Sequence, residues 1–187
     1  MNAKAASILS DPQPCGHIVY PYTDESQVAE TVCLFASAGL RKGEAVLLVM
    51  TEAHCEPILR RLGRDGFDVQ ALIASGQITC EEAGKLLSTF MFDGIIDEHR
   101  FKTKISGMIE RARAAGGGRP VRVFGEMVSL IWRSQQQATE RFEELWNEVI
   151  QEQSVPLLCA YALAGTKPGA FRHHCSRVTP TQWPRET

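Results

Sequence analysis

The segment Ala45–Met50 reads Ala-Val-Leu-Leu-Val-Met and is apolar at every position. A strand with one face in water alternates apolar and polar residues, whereas an uninterrupted apolar run is typical of a strand covered on both faces. Such strands belong to parallel sheets, because the helices that connect parallel strands lie on both faces of the sheet. The segment therefore favours an α/β fold.

Four further β-prone segments alternate with helical patterns along the chain, at residues 17–22, 77–80, 121–124 and 155–161. Strands that alternate with helices imply right-handed βαβ crossovers. The sequence therefore predicts an α/β fold with a mainly parallel central sheet of five or more strands and helices on both faces. The residues that we expect to be buried in the sheet are Val46, Leu48, Val123 and Leu158.

Two helices are predicted in most detail. The first begins with a capping pattern, Asp24 followed by Gln27, and we expect it to end at Gly39. The second covers residues 138–152 and contains both apolar and acidic positions. Its predicted inward side consists of Phe142, Leu145, Val149 and Ile150. Its predicted solvated side consists of Glu140, Glu143, Glu144 and Glu148.

The length of 187 residues fits a single domain, which we place at residues 15–178. Residues 1–14 contain two prolines and no apolar period, so they are predicted to be a flexible lead-in. Residues 179–187 are predicted to be a flexible tail. The six cysteines are interpreted as thiols of a cytoplasmic protein, because the N-terminus does not resemble a signal peptide.

Charge and hydropathy exclude two classes of partner. The formal net charge is −2, whereas a protein that binds nucleic acid is expected to carry a basic surface. The longest apolar stretch, residues 157–164, has eight residues, whereas a membrane-spanning helix needs about 20. The sequence therefore predicts no direct binding to nucleic acid and no membrane span.

In a parallel α/β fold, ligands bind at the carboxyl ends of the strands. The first of these loops, residues 21–26, reads Pro-Tyr-Thr-Asp-Glu-Ser and contains no glycine and no lysine. A phosphate-binding loop needs glycines, whose amides wrap the phosphates, and a lysine. The two acids in this loop would instead repel phosphate. The sequence therefore argues against a working nucleotide site.

Five segments in this order resemble the MEDS family, the sensory domains named from methanogens, methylotrophs and the dichloromethane-responsive repressor. The resemblance covers roughly residues 15–180. The segments are His17-Ile-Val-Tyr-Pro-Tyr22, Ala38-Gly-Leu-Arg-Lys-Gly-Glu-Ala-Val-Leu-Leu-Val49, Arg122-Val-Phe-Gly-Glu-Met127, Phe142-Glu-Glu-Leu-Trp-Asn147 and Leu158-Cys-Ala-Tyr161.

The resemblance implies a RecA/KaiC-like fold that has lost its phosphate-binding loop. Members of the family commonly lie beside histidine-kinase, anti-sigma-type kinase or DNA-binding modules and are proposed to sense small molecules. No such module is recognised in these 187 residues. The resemblance therefore implies a free-standing sensory domain.

Five residues are candidates for binding a small molecule. Glu126 and Tyr161 follow or end predicted strands, so we expect them at the carboxyl edge of the sheet. His17, Tyr20 and Trp132 are added on the MEDS resemblance and as ring side chains that could line a pocket for a modest apolar ligand. His17 begins its strand and is expected at the opposite edge. For Glu126, a structural role in bonding a neighbouring loop stays open.

Metal binding and catalysis have less support in the sequence. Cys15 and His17 could form a zinc site with His173, His174 and Cys175 if the two ends of the domain met. The spacing matches no usual zinc pattern, so loop or core roles are favoured and neither a metal site nor a cofactor is predicted. No recognisable nucleophile–base motif is present.

The favoured hypothesis is a non-catalytic cytoplasmic sensory domain that binds a small molecule. It would signal to a protein partner of the histidine-kinase, anti-sigma or transcription-regulator type, and a homodimer is compatible with it. The first alternative is a remnant NTPase or another enzyme that uses Glu126 and His17. The second is an interaction module without a ligand.

Overall fold

Five parallel strands form the central sheet of the computed structural model, which describes residues 3–115, 117–165 and 171. The order across the sheet is β1-β7-β6-β2-β3, and a separate antiparallel hairpin joins β4 to β5. The bounds are β1 His17–Tyr22, β2 Ala45–Met50, β3 Ile78–Glu82, β4 Met91–Phe92, β5 Ile95–Ile96, β6 Val121–Gly125 and β7 Leu157–Ala162. The predicted α/β class with a parallel sheet is confirmed.

Helices cover both faces of this sheet. The first face carries α1 Ala3–Ser10, α2 Glu25–Arg41, α3 Glu52–Arg64 and α4 Val69–Ala74. The second face carries α5 Ala83–Leu87, α6 Glu98–Ala115, α7 Met127–Ile131 and α8 Gln136–Gln153. The side chains along each strand alternate between two separate hydrophobic cores, because successive residues of a strand point to opposite faces of the sheet. The burial predicted for Val46, Leu48, Val123 and Leu158 is confirmed.

The strand order creates a switch point between β2 and β6. These two strands are neighbours, but the chain leaves β2 towards β3 at one side of the sheet and leaves β6 towards β7 at the other. Loops that turn apart in this way open a crevice at the carboxyl ends of the strands, where ligands of α/β proteins bind. A ligand site is therefore expected beside the residues that follow Met50 and Gly125.

The N-terminal segment differs from the prediction of a flexible lead-in. Residues 3–10 form helix α1, which packs against α2; its residues Ala5 and Leu9 are buried, and Leu9 belongs to the hydrophobic core of the first face. The Lys42 ammonium group also bonds the Ser10 carbonyl oxygen (3.2 Å) and the Asp11 carboxylate (2.5 Å). Two buried apolar residues in a helix of eight are too few to produce a visible period in the sequence.

The end of α2 also differs from the prediction, because the helix continues through Gly39 to Arg41. Gly39 is needed for close packing: a Cβ atom built there would lie 2.3 Å from Nε of Arg122. The buried Arg122 guanidinium donates to the Phe35 carbonyl oxygen (2.7 Å) and to the Glu44 carboxylate (2.5 Å). The helix ends at Arg41 with Lys42 as its C-cap, and the chain turns away at Gly43, whose φ of +76° suits glycine.

Some predictions fall outside the described residues, namely those on the tail 179–187 and on His173, His174 and Cys175. Among the cysteines that the structure describes, Cys33 and Cys159 are buried, as expected for thiols that act as small apolar side chains. Cys80 is half-buried. Burial raises the pKa of the Cys33 and Cys80 thiols to about 12.

None of the described helices has the length and hydropathy to span a bilayer.

We predict opposite effects for the same substitution at two helical glycines. Gly39→Ala should lower the free energy of unfolding by roughly 1–3 kcal/mol, because the new methyl group overlaps Arg122. Gly63→Ala in α3 should raise it by up to about 1 kcal/mol, because no atom lies within 4 Å of the new Cβ and alanine favours helix. Urea unfolding of both variants measures the two effects. Equal effects would refute the packing role of Gly39.

Candidate functional site

Glu126 lies at the switch point, directly after β6 and before the first residue of α7. Its side chain is 0% exposed, so its carboxylate needs hydrogen-bond donors within the protein. One oxygen, Oε2, accepts a bond from the backbone N–H of Thr51 (2.8 Å) and another from the Thr51 hydroxyl (3.2 Å). Glu126 therefore ties the loop after β2 to the loop after β6.

His54 extends this contact to a third loop. Its Nδ1 lies 2.5 Å from Oε1 of Glu126, and its Nε2 contacts Oε2 of Glu25, in the first turn of α2. The rings of Tyr22, at the end of β1, and His54 meet edge to face, with their centroids 6.1 Å apart. We call Glu25, Thr51, His54 and Glu126 the carboxyl-edge cluster. It connects the loops after β1, β2 and β6.

The electrostatics of the carboxyl-edge cluster favour a protonated imidazole. The hydrogen bond to Glu126 raises the pKa of His54, and the contact with Glu25 adds to the effect, whereas burial opposes it. The pKa of the nearby Tyr22 hydroxyl is also raised, through burial first and then through the charges of Glu126 and Glu25. Both acidic side chains therefore shift the titration of His54 towards the charged imidazole.

The two carboxylates differ in exposure. The Glu126 side chain is fully buried, whereas the Glu25 side chain is 68% exposed. Replacing Glu25 at His54 would thus disturb only an exposed carboxylate, while Glu126 would keep the imidazole oriented and charged. The geometry can therefore offer the Nε2–H of His54 to an incoming anion or hydrogen-bond acceptor.

Sequence reasoning selected Glu126 but missed His54 and Glu25. A usable signal was present: His54 follows Thr51, which caps the helix after a strand apolar at every position, so it had to lie near the same sheet edge. Glu25 was recognised only as part of an acidic loop that would repel phosphate. Its position in the first turn of the next helix places it at that edge too.

A second polar cluster lies on the opposite face of the sheet, under α8. Glu143 was predicted to be solvated, and this prediction is wrong: its side chain is 0% exposed. Its Oε1 accepts a hydrogen bond from the Tyr161 hydroxyl (2.7 Å), and its Oε2 lies 3.2 Å from Nε2 of His17. Glu143 occupies the same helical stripe as the buried Thr139, Trp146 and Ile150, so its position, rather than its charge, decides its burial.

The structure divides the five candidate ligand-binding residues between the two faces. Glu126 and Tyr20 belong to the first face, where Tyr20 stacks on Tyr22 with ring centroids 6.3 Å apart. Trp132 and Tyr161 meet edge to face on the second face (6.0 Å), and Tyr161 reaches His17 through Glu143. His17 lies at the amino end of β1, opposite Leu157, as expected. A ligand-binding role for these five residues stays a prediction.

An open groove of about 450 Å³ lies elsewhere, along α6. Its lining is largely basic and comprises Thr89, His99, Arg100, Thr103, Lys104 and Arg111. None of the five candidate residues lines this groove. It therefore gives no support to the predicted pocket at the carboxyl edge, which stays a prediction.

One protein-family model matches most of the chain. The model of the MEDS family, described as the methanogen/methylotroph, DcmR sensory domain, matches residues 16–176. The chain belongs to the MEDS family. No curated protein matches the sequence. Because MEDS domains are sensory domains, this membership supports a sensory or regulatory role for the chain, whereas the predicted relationship to the RecA/KaiC fold stays a prediction.

The state of His54 can be tested through the pH dependence of stability. Because the folded state raises its pKa above the ordinary value of 6.5, protonated His54 stabilises the fold fully below about pH 6.5. This contribution is lost as the pH rises through the raised pKa of the folded state. We therefore predict that the decline in unfolding free energy above pH 6.5 is shallower in His54→Gln than in the unchanged protein.

The matched control is His99→Gln, which removes an exposed histidine. Urea unfolding between pH 6 and 9 compares the three proteins. Only the slope of the unfolding free energy against pH is compared, because removal of His54 also takes a hydrogen-bond partner from Oε1 of the buried Glu126. The control should follow the unchanged protein. Coincident slopes for all three proteins would contradict a charged His54.

Proposed function

We propose that this MEDS domain is a non-catalytic sensor that binds a small molecule at the carboxyl-edge cluster and transmits the bound state to a protein partner. One observation supports the proposal above the others. A buried Glu126 holds His54 at the switch point of the sheet, and the other ring nitrogen of His54 is paired with an exposed carboxylate. This arrangement combines a fixed recognition group with a replaceable partner.

The ligand proposed for this cluster is a small molecule with one anionic or hydrogen-bond-accepting group. That group would take the place of the Glu25 carboxylate on Nε2 of His54. The Tyr22 ring, beside the imidazole, suits a small apolar body next to the polar group. The free energy of binding would come from a desolvated charged hydrogen bond together with contact with the tyrosine ring.

Transmission would begin at the first turn of α2. Asp24 caps this helix through the Ser26 N–H (2.9 Å), and Glu25 joins the same turn to His54. Helix α2 also packs against α1 and α3, so a change at its start reaches three helices of the first face. A ligand shifts such an equilibrium only by the difference in its affinity for the two states. The partner proposed is of the histidine-kinase, anti-sigma or transcription-regulator type.

Two features support a binding role over an NTPase. Residues 21–26 contain no glycine and no lysine to hold phosphates. Glu126, the acid that follows a buried strand, is already engaged by Thr51 and His54. In an active ATPase such an acid orients Mg²⁺ or water instead. We therefore propose that Mg²⁺–ATP is not a ligand of this domain.

The test compares two carboxylate-to-amide substitutions at the same edge of the sheet. Glu126→Gln keeps the side-chain shape but removes the charge that keeps His54 protonated, so we expect at least a tenfold loss of small-carboxylate affinity, about 1.4 kcal/mol. Glu52→Gln, an exposed change in the first turn of α3, should leave the affinity unchanged. Calorimetric titration with acetate and longer carboxylates, and with Mg²⁺–ATP, measures both.

Mass spectrometry of any molecule released on denaturation complements the titrations. The unchanged protein and Glu52→Gln should release the same compound, and Glu126→Gln should release less of it. Equal binding by Glu126→Gln and the unchanged protein would refute the site. Micromolar binding of Mg²⁺–ATP would refute the non-catalytic proposal in favour of a remnant NTPase.

A further inference from the structure

Three side chains that can bind a metal meet in the core of the second face. They are His17 from the start of β1, Glu143 from α8 and Cys159 from β7, and one donor atom of each lies within 4.8 Å of those of the other two. All three residues are buried, at 3%, 0% and 1% exposure. Imidazole nitrogen, carboxylate oxygen and thiolate sulfur are the donors by which proteins bind Zn²⁺.

The hydrogen bonds of His17 direct one nitrogen into this group. Its Nδ1 lies 2.8 Å from Oδ1 of Asn147, an oxygen that can only accept, so Nδ1 carries the proton. In a neutral ring, Nε2 then presents its lone pair towards Glu143. Histidines that ligate metals donate their other N–H to a carbonyl or carboxylate in the same way.

Two buried polar atoms of the group lack a hydrogen bond. Within the described residues, Nε2 of His17 and Oε2 of Glu143 have no hydrogen-bond partner, although they lie 3.2 Å apart. Buried polar atoms are nearly always satisfied, because an unpaired one costs roughly 1–3 kcal/mol. In the described part of the chain, these two atoms contact only each other as an ion pair, so both retain the capacity to bind a shared ion.

The spacing of the donors suits a small tetrahedral ion. The Nε2–Oε2 distance is 3.2 Å, and Sγ of Cys159 lies 3.7 Å from Oε1 of Glu143. Around tetrahedral Zn²⁺, with bonds of about 2.0–2.3 Å, neighbouring donors lie roughly 3.3–3.6 Å apart. The Nε2–Oε2 and Sγ–Oε1 distances therefore lie within a few tenths of an ångström of those around a tetrahedral ion, and donor atoms of all three residues lie within 4.8 Å of one another.

We propose that His17, Glu143 and Cys159 bind a Zn²⁺ ion in the core between β1, β7 and α8. Asn147 fixes the ring of His17, and the Tyr161 hydroxyl, 2.7 Å from Oε1 of Glu143, orients the carboxylate. Three protein ligands leave a fourth position for water or another small ligand. Hard ions such as Mg²⁺ and Ca²⁺ prefer all-oxygen sites and do not suit this donor set. The site lies on the opposite face from the carboxyl-edge cluster and does not depend on the proposed function.

The experiment uses the full chain, stripped with a chelator and then reloaded with Zn²⁺ or Co²⁺. We expect about one equivalent of tightly bound Zn²⁺ by elemental analysis, and Co²⁺ should give the visible bands of a tetrahedral site with thiolate-to-metal absorption in the near ultraviolet. Cys159→Ser should abolish the thiolate band and lower the Zn²⁺ affinity at least tenfold. Glu143→Gln should lower the affinity while the thiolate band remains in the Co²⁺-saturated protein.

Two matched controls locate the ion. Cys33→Ser removes an equally buried thiol on the other face of the sheet, and Cys15→Ser removes the cysteine of the zinc site considered from the sequence. Both should bind Zn²⁺ as the unchanged protein does, and circular dichroism checks that every variant is folded. If the unchanged protein binds neither ion at micromolar concentration, or Cys15→Ser loses it and Cys159→Ser keeps it, the proposed site is wrong. In the first case His17 and Glu143 form a buried ion pair without metal.

Discussion

Covering a sheet on both faces removes water from most of the side chains that point out of it, and this constraint organises the polar residues of the fold. An isolated charge cannot remain in such a layer unless other protein groups bind it. In the part of the chain that the structure describes, three buried polar groups are of this kind, around Arg122, around Glu126 and around Glu143. They differ in how fully their hydrogen-bonding capacity is used within the protein.

How completely a buried polar group is hydrogen-bonded within the protein distinguishes a structural role from a possible binding role. Arg122 is bonded by Glu44 and by the Phe35 carbonyl oxygen and lies over the Phe35 ring, with Gly39 providing the space, so it fastens α2 to β6. The group around Glu126 ends instead at Glu25, which water reaches. Among the described residues, the group around Glu143 contains two atoms without hydrogen bonds, Nε2 of His17 and Oε2 of Glu143. A buried polar network that is incomplete is where a ligand or an ion can add free energy, whereas a complete one can only hold the fold together.

More of the fold than of the two candidate sites could be predicted from the sequence. Strands such as Ala45–Met50 are apolar throughout. Their burial, their parallel direction and the sheet edge at which they end therefore follow from the local pattern alone. Glu126 was found because it directly follows such a strand. Glu143 was misjudged because an acidic residue is usually solvated, and only the tertiary contacts of α8 with β7 reverse that rule. Gly39 was read as the end of a helix because nothing local shows that an arginine 83 positions later needs its space.

The two proposed sites share strand β1, which limits how they could influence each other. His17 begins this strand on the second face, and the chain leaves its end at Tyr22 for Glu25 on the first face. The strand itself is hydrogen-bonded to β7 along its whole length, so it is poorly suited to move between two positions. The exposed Glu25 and the first turn of α2 can change partners without breaking the sheet. A ligand signal is therefore expected to travel through α2 and the helices of the first face, while an ion at His17 would fix the frame against which that movement occurs.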